Sequence, residues 1–147
     1  MSKHLKRLAA PKTWKISRKG KVWVVKPRCG PHPIQRSYPL LLIIRDFLHY
    51  GDTAKDCKRI VARGEILVDC KKAKDHKRAV GLMDVLSIPK LQEQYRVVVD
   101  SKGKLAPVRI AHEESNWKLV RIENKTTIKG GKTQLNLHDG RNIILDR

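Results

Sequence analysis

No aspartate or glutamate occurs before Asp46, yet the first forty-five residues carry twelve lysines and arginines. That absence excludes neutralisation from within, so the leading segment repels itself as a free chain. Long apolar runs are also missing. The longest is Leu40 to Ile44, far short of the ~20 residues that span a bilayer. The N-terminus MSKHLKRLAAP has no apolar stretch of the signal-peptide kind, so the chain is expected to stay in the cytosol. Three cysteines, Cys29, Cys57 and Cys70, are an odd number in a compartment that keeps thiols reduced, which excludes a disulfide framework. Internal repeats and low-complexity tracts are absent. There is no G-x-S-x-G elbow, P-loop or nucleotide-binding glycine fingerprint. Glu113 and Glu114 are adjacent, and neighbouring carboxylates diverge on a helix and alternate on a strand, so they do not converge on one substrate.

What is present is positive charge, unevenly spread. The net +19 divides into eleven basic and no acidic groups in residues 1–36, eleven and seven in 37–92, and eleven and seven in 93–147. A basic arm followed by two mildly basic modules is the simplest description. At this density, without a lipid-anchoring pattern, the polyanion that neutralises the arm is expected to be nucleic acid.

Residues 1–36 read as irregular. Pro11, Pro27, Pro31 and Pro33 break any helix, and Gly20 and Gly30 mark turns. One short hairpin is expected there, residues 16–17 against 22–25 across RKGK. Fully extended, such an arm would reach about 120 Å. Pro39 stands at a first helical position, leading residues 40–50 into Gly51 with Leu40, Ile43, Ile44, Phe47 and Leu48 on one face. Asp52 or Thr53 caps a second helix, which Gly64 ends; Cys57, Ile60 and Val61 form its buried stripe. From Gly64 the pattern turns to strands, at 64–69, 78–88 and 94–100. SKGK (101–104) turns into LAPVRIA, HEESNW gives a single helical turn, and WKLVRIE, KTQLNL and RNIILD are three further strands. The fold class is therefore α+β: arm 1–36, a two-helix and small-sheet module 37–92, and a small β-rich module 93–147.

The residues expected to face nucleic acid follow from that layout. On the arm they are Lys3, Lys6, Arg7, Lys12, Lys15, Arg18, Lys19, Lys21, Lys26, Arg28 and Arg36, with His32. Trp14, between Lys12 and Lys15, either stacks on an unpaired base or anchors the arm on its own domain. Seven aromatics in the whole chain are too few for an RNA-recognition sheet. On the second helix, Lys55, Lys58, Arg59 and Arg63 share an outer face at i, i+3, i+4 and i+8, a row suited to the phosphates and 2′-hydroxyls of folded RNA. KKAKDHKR adds Lys71, Lys72, Lys74, Lys77 and Arg78 as phosphate contacts. Cys29 and His32 have C-x-x-H spacing, half of a four-ligand zinc site, and no metal or other cofactor is expected. His138–Asp139–Gly140 reads as a turn, not a catalytic pair.

Residues 53–89, TAKDCKRIVARGEILVDCKKAKDHKRAVGLMDVLSIP, resemble the S4 RNA-binding domain. Thr53, Ile60, Val61, Gly64, Ile66, Val68 and Asp69 stand at its signature positions. Ala54 stands where many members have arginine, and Cys70 replaces the usual turn glycine, implying a different turn geometry. More widely, HLKRLAAP (4–11), RCGPHP (28–33), PLLLIIRD (39–46), GLMDVLSIP (81–89) and QLNLHDG (134–140) resemble the S4e family of small-subunit ribosomal proteins, in the family order. That resemblance implies a non-enzymatic ribosomal constituent with small-subunit rRNA and neighbouring ribosomal proteins as partners, no membrane, no small-molecule substrate and no obligate homo-oligomer. The family continues into a further β-barrel with a KOW motif, which does not appear before Arg147, so the chain is read as truncated. The alternatives are an RNA-binding module of an RNA-modifying enzyme, such as a pseudouridine synthase, and a ribosome-associated stress factor.

Overall fold

The structure, a computed structural model, describes residues 4–146. In chain order it contains β1 (Leu5–Lys6), β2 (Trp23–Val24), β3 (Ser37–Pro39), α1 (Leu40–Leu42), a π-helical turn (Ile43–Phe47) and α2 (Ala54–Ala62). Nine strands follow: β4 (Leu67–Val68), β5 (Lys71–Lys72), β6 (Ala79–Gly81), β7 (Val85–Ile88), β8 (Glu93–Val99), β9 (Leu105–Arg109), β10 (Ile122–Thr127), β11 (Thr133–Leu137) and β12 (Asn142–Leu145). The strands pair as β1–β2, β3–β6, a five-stranded sheet in the order β5-β4-β7-β8-β9, and β10-β11-β12. Every pairing among the described residues is antiparallel.

The leading segment is not a free arm. Ala10, Trp14 and Val24 belong to the same buried cluster as Leu40–Ile44, Val61, Ile66 and Leu86. Trp14, 1% exposed, stacks on Tyr38 with ring centroids 5.5 Å apart. Its indole N–H donates to the Ser37 carbonyl at 2.7 Å. The Leu105 amide closes from the other side onto the Thr13 carbonyl at 3.3 Å. The segment is irregular, as its prolines require, but burying the large apolar area of the Trp14 indole favours packing it against the core. The expected local hairpin is also replaced. β2 pairs with β1, Leu5 opposite Val24 and Lys6 opposite Trp23.

This packing explains the first helix. A helix with one buried face was expected, whereas Leu40 to Ile44 are all buried. Residues 10–25 cover the side that solvent would otherwise wet, and a helix covered all round is apolar all round. Pro39 closes β3 rather than opening the helix. The helix then relaxes into a π turn, with the Leu48 amide on the Ile43 carbonyl at 3.0 Å. By contrast α2 follows its sequence signals. Thr53 caps it, accepting from the Asp56 amide at 3.2 Å, and Gly64 ends it at φ +71°. The two side chains reciprocate, since the Thr53 hydroxyl donates to the Asp56 carboxylate.

Three expected strands are trimmed. The run 64–69 keeps only β4, and 78–88 splits into β6 and β7 around Met83, whose φ of +67° breaks the ladder. The run from Trp117 becomes a strand only at Ile122. The β4–β5 loop is a two-residue turn, Asp69–Cys70, with φ of +50° and +63°. That is the type I′ geometry, which matches the twist of a hairpin and which glycine adopts without strain. Asp69 helps hold it there by accepting the Val85 amide at 2.9 Å. The boundary expected at residue 92 cuts through one sheet, because β7 and β8 pair from Val85–Arg96 to Ile88–Glu93.

A buried ionic cluster fastens β10–β12 to the rest. Lys118 Nζ reaches Asp84 at 2.5 Å, Asp69 at 2.9 Å and Asp139 at 3.1 Å. Arg141 bridges Asp69 and Asp139, and His32 Nε2 donates to Asp84 at 3.0 Å. Burial alone would push Lys118 down, but the charges of Asp84 and Asp69 outweigh it and hold the ammonium above its ordinary value. Burial would likewise raise Asp84 and Asp139. His32 and Lys118 hold Asp84 below the ordinary carboxyl value, and the Arg141 amide and Lys118 do the same for Asp139.

Candidate nucleic-acid interface

The expected contact residues divide into three groups. Lys6, Lys12, Lys15, Lys19, Lys21, Arg28, Arg36, Lys55, Lys58, Arg59, Arg63, Lys71, Lys72 and Lys74 are exposed. Arg18, Lys26, Lys77 and Arg78 are half-buried, while Arg7, Trp14 and His32 are buried. Lys3 lies outside the described residues. On α2 the four expected cations do share the outer side, opposite buried Cys57 and Val61. Arg59 stands 4.0 Å from Asp56 on the same helix, an exposed pair of little energetic weight.

Trp14 takes the anchoring role of the two open to it, and His32, expected to face nucleic acid, is buried instead. Trp14 is the anchor and presents no face to a base. His32 is committed to Asp84, and Gly81 packs so tightly on its ring that a Cβ there would lie 2.3 Å from His32 Cγ. That commitment also dissolves the C-x-x-H pattern. Among the described residues no group of three His, Cys, Asp or Glu is placed to hold a metal. Arg18 has an internal task as well. Its guanidinium donates to the carbonyls of Ala10 (2.8 Å), Pro11 (3.0 Å), Arg7 (3.2 Å) and Leu8 (3.2 Å), gathering the turn that carries Arg7.

The arrangement that sequence spacing could not show is a groove of about 280 Å³ between the β1–β2 ribbon, α2 and the 76–77 loop. Arg7, Lys21, Lys26, Arg45, Lys58 and Lys77 line it with His4, Trp23 and His76, and no carboxylate among the described residues does. A second basic groove of about 620 Å³ shares Arg7, Lys21 and Arg45 with it and adds Lys15 and Lys19, with Asp46 and Asp52 on its rim. Arg45 is bound to Asp46 at 2.6 Å. Arg7 is different. It is 8% exposed, its Nη1 donates to the Ser17 carbonyl at 2.7 Å, its Nε has no acceptor, and no carboxylate reaches it among the described residues. A buried cation without a counter-charge is costly unless an anion arrives to pair with it. At His76, burial and then the neighbouring cations Lys58, Lys77 and Arg28 keep the imidazole below its ordinary value against the pull of Asp75. Arg7, Lys21 and Lys26 of the arm thus meet Lys58 of the helix and Lys77 of the loop in one groove, while the other helix and loop cations lie outside it.

Ribosomal family S4e matches residues 91–147, and the RS4NT domain matches residues 1–35. The chain is 52% identical over 143 residues to small ribosomal subunit protein eS4 of Ignicoccus hospitalis, covering 97% of this chain and 56% of that one. The chain belongs to ribosomal family S4e. Within the family, identity is 51% to the eS4 protein of Methanococcus aeolicus, over 97% of this chain and 58% of the relative. It is 50% to that of Methanothermobacter thermautotrophicus, over 98% and 60%. The crystal structure of the 30S ribosomal protein S4e from Thermoplasma acidophilum, 39% identical, superposes with a TM-score of 0.64 over 76% of this chain and 57% of that one. The chain spans little more than half the length of the S4e relatives it matches. No helix among the described residues is long and apolar enough to cross a membrane.

Proposed function

We propose that the chain is a non-catalytic RNA-binding constituent of the small ribosomal subunit in the cytoplasm, with rRNA as its ligand and ribosomal proteins as neighbours. Residues 37–92 act as an S4-type module, its two helical segments steering α2 onto folded RNA. Residues 1–36 and 93–147 are the leading and central units built around it. The observation that carries the reading is the convergence of Arg7, Lys21, Lys26, Lys58 and Lys77, from three separate elements, on a groove without a carboxylate among the described residues. Similarity to relatives named as small ribosomal subunit proteins supports the partner. Binding works by charge neutralisation and shape: lysines and arginines displace the counterions of the phosphates, and the helix face fixes the register.

The test is RNA affinity as a function of salt. The logarithm of affinity should fall with the logarithm of salt by about 0.7 to 0.9 per phosphate contact. Charge reversal of Lys55, Lys58 and Arg59 together should flatten that slope and weaken binding while the circular dichroism spectrum stays unchanged. A salt-independent affinity, or a triple variant that binds like the parent, overturns the proposal.

A further inference from the structure

Of the two roles open to Trp14, stacking on a base or anchoring the arm, the core takes the second. The ring left at the basic groove is Trp23. It is 56% exposed, although a tryptophan ordinarily hides most of its area. The geometry of β2 explains this: successive side chains point to opposite faces of a strand, so Val24 enters the core and Trp23 turns outward. Its ring sits on the wall of the groove with Lys21, Lys26 and Lys58, and the His4 ring lies 5.6 Å away at 54°. Arg7, on the same groove, is a buried guanidinium with no carboxylate partner among the described residues. An aromatic face beside such a cation meets both halves of a nucleotide, the base and the phosphate. A continuous duplex keeps its bases stacked inside and cannot offer one to Trp23.

We infer that this groove receives one unpaired nucleotide of RNA, its base stacked on Trp23 and its phosphate drawn to Arg7 and Lys21. The site rests on the RNA-binding reading above and narrows it: the N-terminal ribbon recognises a bulge, loop or end, while α2 carries the sequence-independent duplex contacts.

The experiment compares a short fluorescein-labelled oligouridylate with an RNA duplex of the same length, by fluorescence anisotropy at one ionic strength, using the whole chain. Trp23→Ala should lower affinity for the oligouridylate about tenfold and change duplex affinity by less than about twofold, and Trp23→Phe should recover most of the loss. Oligouridylate should also quench tryptophan emission in the parent and much less in Trp23→Phe. Unchanged oligouridylate binding by Trp23→Ala, with the parent binding both RNAs, overturns the inference alone and leaves Trp23 as a contact for a neighbouring protein. Equal weakening on both RNAs also overturns it, because the ring would then only support the groove. If the parent binds neither RNA, the RNA-binding reading itself has failed.

Discussion

Replacing Trp14 with alanine separates a packed leader from a free one. The side chain is 1% exposed, stacked on Tyr38, which in turn meets Phe47 edge-on at 5.3 Å, and hydrogen-bonded to the Ser37 carbonyl. Truncating a buried tryptophan removes apolar contact area and leaves a void that the surroundings only partly fill, at about 3–5 kcal/mol. Whole domains have only about 5–15 kcal/mol to lose. Trp14→Phe keeps a ring against Tyr38 but strands the Ser37 carbonyl, which costs about 1–3 kcal/mol. Tyr38 itself is deep in the same packing: burial, opposed by the Lys15 amide and aided by Asp46, has pushed its hydroxyl up to about 12. Urea titration followed by far-ultraviolet circular dichroism reads the cost of both substitutions. The expected order of midpoints is parent, then Trp14→Phe, then Trp14→Ala, with residues 1–36 becoming protease-sensitive together with the rest of the chain. A Trp14→Ala protein within about 1 kcal/mol of the parent would refute the reasoning, since a free leader predicts that result.

Two further outcomes follow from the buried ionic cluster. Asp84 and Asp139 have folded-state values below the ordinary 3.8, so their stabilisation is complete above that pH and is lost as pH falls through the lower folded values. The urea midpoint should hold from neutrality to about pH 4 and then drop. Lys118→Met should cost about 3–5 kcal/mol at neutral pH by leaving carboxylates unpaired, and should flatten the acid limb; identical acid limbs in both proteins would exclude the cluster as its cause. Gly81→Ala must expel the His32 ring, whose Cγ would stand 2.3 Å from the new methyl carbon. The expected loss is about 1–3 kcal/mol, read as a lower melting temperature; an unchanged melting temperature would show that His32 moves without penalty.

Local signals carried much of the architecture. The cap at Thr53, the glycine stop at Gly64, the SKGK turn and the alternating strands after Gln92 all act over a few residues, so sequence spacing displays them. The leader did not behave that way. Ala10, Trp14 and Val24 have no common period, and their partners, Tyr38, Leu40 and Leu105, lie far along the chain. The density of lysine and arginine in the leader concealed its packing. Among candidate contact residues, the α2 row was legible because helix geometry alone aligns it. The Asp69–Asp84–Lys118–Asp139 cluster was not, since its members are scattered over 71 positions and assembled by sheet register. Trp23 was legible in principle, because the alternation in V-W-V-V places it opposite Val24.

The hydrogen bond from Leu105 back to Thr13 has a consequence for the order of synthesis. A nascent chain emerges from its N-terminus, so Thr13 waits for some ninety later residues before its carbonyl partner exists. The intermediate partners, Ser37 and β6, arrive on the way, and none alone closes the leader. During that interval the highly cationic leader lacks this closing bond, and an anionic scaffold met early would compete with it for the segment.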